Sequence, residues 1–267
     1  MLGSRVVVWV PVPGGDVCAA ARVTLADGRT VFAKERRGAP PGFFAAEAAG
    51  LDRLRGHVPV PDVLDVSGER LVLAWVPPGP PTRAAAEELG RALARLHAAG
   101  EESFGGPRDG WIATLPLDNT PGPSWPAWYA ERRLLPYAAA LAAHDRRAVD
   151  AVADRIDELA GPPEPPARLH GDLWGGNVLW SAEGPAYLVD PAQHGGHRET
   201  DLAMLALFGV PHLDRVLAAY DEAAPLAEGW RARVALHQLF PLLVHATLFG
   251  GGYAPRAAAA ARAALST

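Results

Sequence analysis

The sequence predicts an α+β chain of two lobes, a small β-rich N-terminal lobe and a larger, mainly helical C-terminal lobe. Three observations carry that expectation. Short apolar, β-branched runs separated by turn signals fill the first part of the chain, around a single helical stretch. The run Pro77-Pro78-Gly79-Pro80-Pro81 then forms a stiff link that can be neither helix nor central strand. From Thr82 onward the apolar spacing turns helical. The expected division is an N-terminal lobe of β-sheet plus one helix over 1–76, a hinge over 77–81, and a helical C-terminal lobe over 82–267. Such an arrangement places a ligand in the cleft between lobes.

Each element has its reason. Val6–Val12 reads as an apolar strand ending at Gly14-Gly15. Ala19–Leu25 and Thr30–Glu35 flank Asp27-Gly28, a strong hairpin signal. Phe43–Leu54 is a helix rich in Ala and Leu that carries Glu47. Val60–Val66 and Arg70–Val76 form a second hairpin around Ser67-Gly68. Thr82 is placed to cap a helix that runs to His97, with Leu89, Leu93 and Leu96 on one face. Ser124–Ala143 and Arg146–Leu159 read as two further helices, and the chain is helical again from about Glu199. The apolar stretch Leu236–Phe249 contains His237, Gln238, Pro241 and His245. It is expected to be a buried helix, too short and polar to span a bilayer.

Composition excludes several function classes. Of 267 residues, 49% are hydrophobic and 21% charged, which argues for a folded chain with ample core. A net charge of −5 argues against general binding to nucleic acid or to an anionic membrane. One cysteine, Cys18, rules out an internal disulfide framework. No basic segment followed by a long apolar run opens the chain, so a cytoplasmic protein is expected. Among the 25 basic residues there is a single lysine, Lys34. A lone ammonium among guanidinium groups suggests a position that needs a compact point charge.

The densest polar signal is His170-Gly171-Asp172-Leu173-Trp174-Gly175-Gly176-Asn177, followed by Tyr187-Leu188-Val189-Asp190-Pro191. Two carboxylates and an amide emerge there from apolar surroundings, an oxygen set suited to a hard divalent cation. The Asp-x4-Asn spacing matches the catalytic loop of protein kinases, with Asp172 as base and Asn177 as metal ligand. Asp190 stands where a second metal ligand belongs. Lys34 on the third strand and Glu47 on the following helix occupy the places of a phosphate-contacting pair. Gly14-Gly15 is positioned to cover phosphates, although a diglycine is a weak signal by itself. Taken singly, each of these residues has an ordinary structural reading: a turn former, a strand lysine, a surface glutamate. It is their joint order that points to phosphoryl transfer. His170 reads as a packed residue holding the loop. His194 and His197, with His170 nearby, offer a competing zinc reading, but fixed ligand spacing is lacking. No Gly-x-Ser-x-Gly elbow and no Gly-x-Gly-x-x-Gly turn is present.

Leu169–Val178, Asp190-Pro191-Ala192, and Gly196-His197-Arg198-Glu199-Thr200-Asp201-Leu202-Ala203-Met204 with Leu207-Phe208-Gly209 resemble the fructosamine kinase (ketosamine 3-kinase) family over nearly the whole chain. The resemblance implies a protein-kinase-like fold and phosphorylation of O3 in the sugar of a ketosamine. It implies ATP and Mg²⁺ as cofactors, and an unstable product whose elimination frees the amine. Small-molecule or protein-bound ketosamines are the partners it implies, with a monomer or a dimer as the assembly. On this likeness Lys34, held by Glu47, contacts the α- and β-phosphates, and backbone groups of Ala74 and Val76 bind adenine. Asp172 is the base, Asn177 and Asp190 are metal ligands, and Asp201 braces the catalytic loop from behind. Trp174, His197 and Glu199 belong to the acceptor pocket, with Gln193-His194-Gly195 facing it, and Trp125 and Trp128 are weaker pocket candidates. Two rivals stand beside this reading. An aminoglycoside phosphotransferase of the same fold would present acids to a polycation, yet Gly229–Thr267 contains no Asp or Glu. A non-catalytic nucleotide-binding module would be expected to lack at least one of Lys34, Asp172, Asn177 or Asp190.

Overall fold

Five strands build one antiparallel sheet in the order β1-β2-β3-β5-β4: β1 (Val6–Pro11), β2 (Ala19–Leu25), β3 (Thr30–Glu35), β4 (Val63–Val66) and β5 (Arg70–Ala74). The computed structural model describes residues 2–13, 17–139, 141–182 and 184–267. Gly14 and Gly15, expected to cover phosphates, lie outside the described residues. The two-residue period of a strand sorts the side chains. Ala21, Val23, Val31, Ala33 and Val72 are buried together on one face. Phe32, Lys34 and Leu73 take the other face and line a cleft. Lys34 is opposite Ala20 on one side and Leu71 on the other, so both neighbouring strands fix its direction. The apolar run of β1 is exposed throughout, because β1 pairs only with β2 at the sheet edge.

Helix α1 (Phe43–Leu54) packs across the sheet. Phe44, Leu51 and Leu54 lie on its buried stripe. Burial of each contributes roughly 1.5–3 kcal/mol. Gly50 of α1 lies so near Pro191 that an added Cβ would stand 3.0 Å from its Cγ. A small residue there lets α1 reach the Asp190-Pro191 segment. The linker is pinned by Gly79 N–H donating to Trp180 O at 2.7 Å and Ala182 N–H donating to Pro77 O at 3.0 Å.

The remainder is mainly helical, and α2 (Arg83–Ala98) opens it. Thr82 caps α2 as expected, its Oγ1 accepting from Ala85 N–H at 3.1 Å. A small ribbon, β6 (Gly110–Ile112) with β7 (Leu115–Leu117), follows. The single helix expected over Ser124–Ala143 is instead α3 (Trp125–Tyr129), a wide π turn over Ala130–Leu134, and α4 (Leu135–Ala138). Pro136 accounts for the break, since its ring removes an N–H and clashes with the preceding turn. The next helix begins earlier than expected, as α5 (Ala143–Asp154), and breaks before α6 (Ile156–Leu159).

Strand β8 (Ala167–Leu169) leads into the catalytic segment, which continues through β9 (Val178–Trp180), β10 (Ala186–Leu188) and β11 (His194–Gly196). β9 pairs with β10, and β8 with β11. Five helices close the chain: α7 (Glu199–Phe208), α8 (Leu213–Ala223), α9 (Trp230–His237), α10 (Leu239–Phe249) and α11 (Tyr253–Leu265). Together Trp230–Phe249 are long and apolar enough to cross a membrane, contrary to the expectation from Leu236–Phe249 alone. The stretch breaks between α9 and α10, and its Leu236, Leu239, Leu242 and Leu243 pack into the C-terminal core. A second core runs from α1 through α2 to Leu173, Val178 and Leu188, and so joins the sheet to the catalytic segment.

Candidate active site

Lys34, Glu47, Asp172, Asn177 and Asp190 converge although they come from separate parts of the chain. Lys34 Nζ donates to Glu47 Oε2 at 2.9 Å and to Asp190 Oδ1 at 2.7 Å. Burial disfavours charge on Lys34, but the two carboxylates outweigh it and hold the ammonium above its ordinary value. Burial, and then the charge of Asp190, push Glu47 up to about 8 against the pull of Lys34. Asp190 itself is drawn down, since Lys34 overcomes the cost of its surroundings. Its backbone is left-handed at φ 55°, a conformation costly for most residues and tolerated by Asp.

The loop expected to be catalytic, His170–Asn177, is held from several directions. Asn177 Nδ2 donates to Asp172 O at 2.8 Å and to Asp172 Oδ2 at 3.1 Å. Asp172 N–H donates to His170 Nδ1 at 3.2 Å, and His170 Nε2 donates to Val189 O at 2.9 Å. His170 is fully buried, as expected of a residue holding the loop. Asp201, at the start of α7, accepts from His170 N–H at 2.7 Å and Gly171 N–H at 3.0 Å. Behind it, His97 Nε2 lies 3.2 Å from Asp201, and Tyr220 Oη lies 2.8 Å from His97 Nδ1. Asp201 therefore sits where a brace for the loop is expected. Gly171 has φ 83°, and an added Cβ would meet Ala192 O at 2.1 Å, so only glycine fits this corner. Burial, and then the Asp190 charge, push the Asp172 carboxyl up to about 7.

Lys34, Glu47, Asp172, Asn177 and Asp190 line one cleft of about 1470 Å³, larger than the roughly 300–1,000 Å³ of a single small-molecule site. It has room for a nucleotide and an acceptor together. Ala74, Val76 and Cys18 also line it. Ala74 N–H already donates to Asp62 O at 2.8 Å, so that group is committed within the fold. Burial pushes the Cys18 thiol up, in keeping with a small packed residue. With respect to a divalent cation, the cleft offers the Asn177 amide oxygen and the Asp172 and Asp190 carboxylates, whose charges repel each other. This all-oxygen donor set fits Mg²⁺.

Several acceptor expectations are corrected. Trp174 lines the cleft and is 41% exposed, as expected. His197 and Glu199 do not line it; both are buried behind the catalytic loop. Glu199 accepts from Arg233 Nη2 at 2.6 Å and Nε at 3.0 Å, and His197 Nδ1 accepts from Glu199 N–H at 3.2 Å. Burial would raise Glu199, but contacts with His237 and Arg233 hold it near 2. The physical reason is that an ion pair this well satisfied is stable away from water, where a lone carboxylate would not be. Ligand atoms of His197, Glu199 and His237 lie within 4.8 Å of one another, but the Arg233 fork occupies both Glu199 oxygens. His170 and His194 are not part of this group. Trp125 and Trp128 are also buried; Trp125 stacks on Tyr129 at 4.7 Å, and Trp128 Nε1 donates to Thr120 O at 3.0 Å. Of Gln193-His194-Gly195 only Gln193 lines the cleft, because His194 and Gly195 are tied into β11. Sequence reasoning missed Phe208, His245, Phe249 and Tyr253, which form the far wall. Phe208 stood in the Leu207-Phe208-Gly209 motif without a role, and the acid-free tail was the signal for the other three.

The chain is similar to known proteins over nearly its whole length. A model of the family described as fructosamine kinase matches residues 5–267. The Thermus thermophilus protein named "Probable ketoamine kinase TTHA1179" is 41% identical over 250 residues, covering 91% of this chain and 89% of its own. The crystal structure of a Thermobifida fusca protein named "putative fructosamine-3-kinase" superposes with a TM-score of 0.94 at 51% identity, covering 100% of this chain and 96% of its own. Aminoglycoside phosphotransferase APH(4)-Ia shares the fold alone, with a TM-score of 0.65 at 16% identity over 97% of this chain and 94% of its own. A match that spans both lobes and the cleft between them settles the assignment: the chain belongs to the fructosamine kinase family and is a kinase.

Proposed function

We propose that this kinase transfers the γ-phosphoryl group of ATP to O3 of the sugar of a ketosamine, so that later elimination of phosphate frees the amine. The observation that carries the reading is the meeting of Lys34, Glu47 and Asp190 with Asp172 and Asn177 in one cleft. Asp172 accepts the proton of the attacking hydroxyl as the new O–P bond forms and the bond to the β-phosphate oxygen breaks. Lys34, steadied by Glu47, places a point charge against the phosphates. Asn177 Oδ1 and Asp190 are the residues that would hold Mg²⁺, which when bound neutralises charge on the phosphates. The carboxyl of Asp172, near 7, suits a group that must take up a proton near neutrality. Trp174 offers a ring face to sugar C–H groups. An aminoglycoside acceptor is disfavoured by the absence of Asp and Glu from Gly229 to Thr267.

An ATP-consumption assay with ribulosyl-lysine, fructosyl-lysine, erythrulosyl-lysine and kanamycin tests the proposal. Turnover is expected with at least one ketosamine, and Asp172→Asn is expected to lower it by roughly 10²–10⁴-fold. If kanamycin were the only good acceptor, the ketosamine reading would be wrong. Full activity in Asp172→Asn would remove the base from the account.

A further inference from the structure

The wall of the cleft beyond Trp174 is aromatic and carries no acid. Trp174 meets Phe208 edge-on at 6.3 Å between ring centroids. Phe208 lies 4.6 Å from His245, which in turn lies 5.6 Å from Phe249 and 5.0 Å from Tyr253. The rings run continuously from the catalytic loop to the ends of α7 and α10 and the start of α11. All five line the cleft, and Phe249 is 54% exposed. A row of rings lining a reactive cleft, half-buried in the middle and exposed at Trp174 and Phe249, is a ligand surface before it is a packing surface.

The charges near this wall narrow the ligand. His245 Nδ1 donates to Pro241 O at 2.7 Å, and burial holds the ring neutral. Arg256 lies over Tyr253 at 5.5 Å, so one face of that ring already faces a cation. From Gly229 to Thr267 there is no carboxylate to receive a second ammonium. A polycationic acceptor therefore finds no acidic side chain on α9, α10 or α11; Asp52, Glu101 and Asp109, which also line the cleft, come from other elements. An anionic tail would shed water against four rings, and the Arg256 charge beside them already faces Tyr253.

We infer that Phe208, His245, Phe249 and Tyr253 form a binding site for the nitrogen substituent of the acceptor, and that it selects ketosamines whose amine carries an uncharged apolar chain or ring. The inference rests on the ketosamine reading above and specifies which amine that site takes. With the sugar on Trp174 and O3 at Asp172, the substituent on the amine continues onto Phe208 and the rings beyond it. A lysine side chain embedded in a protein presents such a substituent; the free amino acid adds two charges to it.

Three ketosamines of one ketosugar, made from hexylamine, 6-aminohexanoate and hexane-1,6-diamine, match chain length and differ in terminal charge. The neutral acceptor is expected to exceed both others in kcat/KM by roughly tenfold, mainly through KM. Phe249→Ala is expected to bring the three values close together. Phe249 is more than half exposed, so its truncation opens no core cavity, and an unchanged Tm verifies the fold. Tyr253→Ala serves as a second variant with the same expectation. Equal kcat/KM for the three acceptors, preference for a charged one, or a preference that survives both variants would overturn the inference while leaving the ketosamine reading intact. If none of the three consumed ATP in ribulosyl, fructosyl and erythrulosyl form alike, the ketosamine reading itself would fall, and this inference with it.

Discussion

Lys34 carries the strictest demand on side-chain identity. Its Nζ stands between Glu47 at 2.9 Å and Asp190 at 2.7 Å with only 14% of the side chain exposed. A guanidinium is planar and wider, and cannot put one point charge between two carboxylates at these distances. Lys34→Arg is expected to lower kcat by roughly 10²-fold, the scale of a displacement near 1 Å at a reacting centre. Stability should change by less than about 1 kcal/mol, since the cation is retained. Steady-state kinetics beside urea unfolding checks both, and wild-type turnover in the variant would show that position 34 needs only a positive charge. The residues of this centre were legible in the sequence because ionic side chains at fixed spacing, on identifiable strands and helices, leave few alternatives. His197 and Glu199 were not. Their motif adjoins the catalytic segment in sequence, but the turn from β11 into α7 points them inward to Arg233 and His237.

At the scale of elements, strand β11 holds a histidine that water does not reach. His194 is 4% exposed, and its Nδ1 donates to Ala192 O at 2.8 Å. Burial first, then the Arg133 charge, hold its pKa near 3, below the 6.5 of an unfolded chain. A depressed histidine contributes stability that is complete above pH 6.5 and is lost as pH falls from there toward 3, because the unfolded chain takes up the proton first. His194→Gln removes that dependence. The stability deficit of the variant at pH 7.5 is therefore expected to shrink by about 1.4 kcal/mol per pH unit below 6.5. Urea unfolding at pH 7.5 and 5.5 measures it, and a constant deficit would contradict the assignment. The strands and helices α1 and α2 were legible because hairpin turns, a Thr cap and regular apolar spacing are local signals. The break around the π turn at Ala130–Leu134 was less so, since Ala and Leu on both sides of Pro136 keep the helical pattern going.

The two lobes are joined by charge as well as by core. Arg168 on β8 donates to Glu101 Oε1 at 2.7 Å, to Arg53 O at 3.2 Å and to Gly100 O at 3.2 Å. Glu101 also pairs with Arg53 of α1, so one carboxylate links the helix beside the sheet to the strand before the catalytic loop. Glu101 and Arg168 are little exposed, at 10% and 13% of their side chains. Glu101→Ala leaves the Arg168 charge without its partner in a half-dry setting. A loss of about 3 kcal/mol in unfolding free energy is expected, as for the breaking of a buried pair. Denaturant unfolding of the variant tests this, and a loss below about 1 kcal/mol would mean that the pair behaves as a surface contact. The two-lobed arrangement was legible from the Pro-rich link and the change of period. The aromatic wall was not, because Phe208, His245, Phe249 and Tyr253 are distributed over three helices whose meeting is a tertiary event.

The proposed reaction, phosphorylation of a ketosamine sugar with release of the amine, leaves two successive products on a glycated peptide. Mass spectrometry of a ribulosylated peptide incubated with the kinase, ATP and Mg²⁺ tests it most directly. The account predicts a transient gain of one phosphate on the glycated peptide, followed by recovery of the unmodified peptide, with neither species formed by Asp172→Asn. A peptide that stays glycated and unphosphorylated, while ATP is consumed on kanamycin, would contradict it.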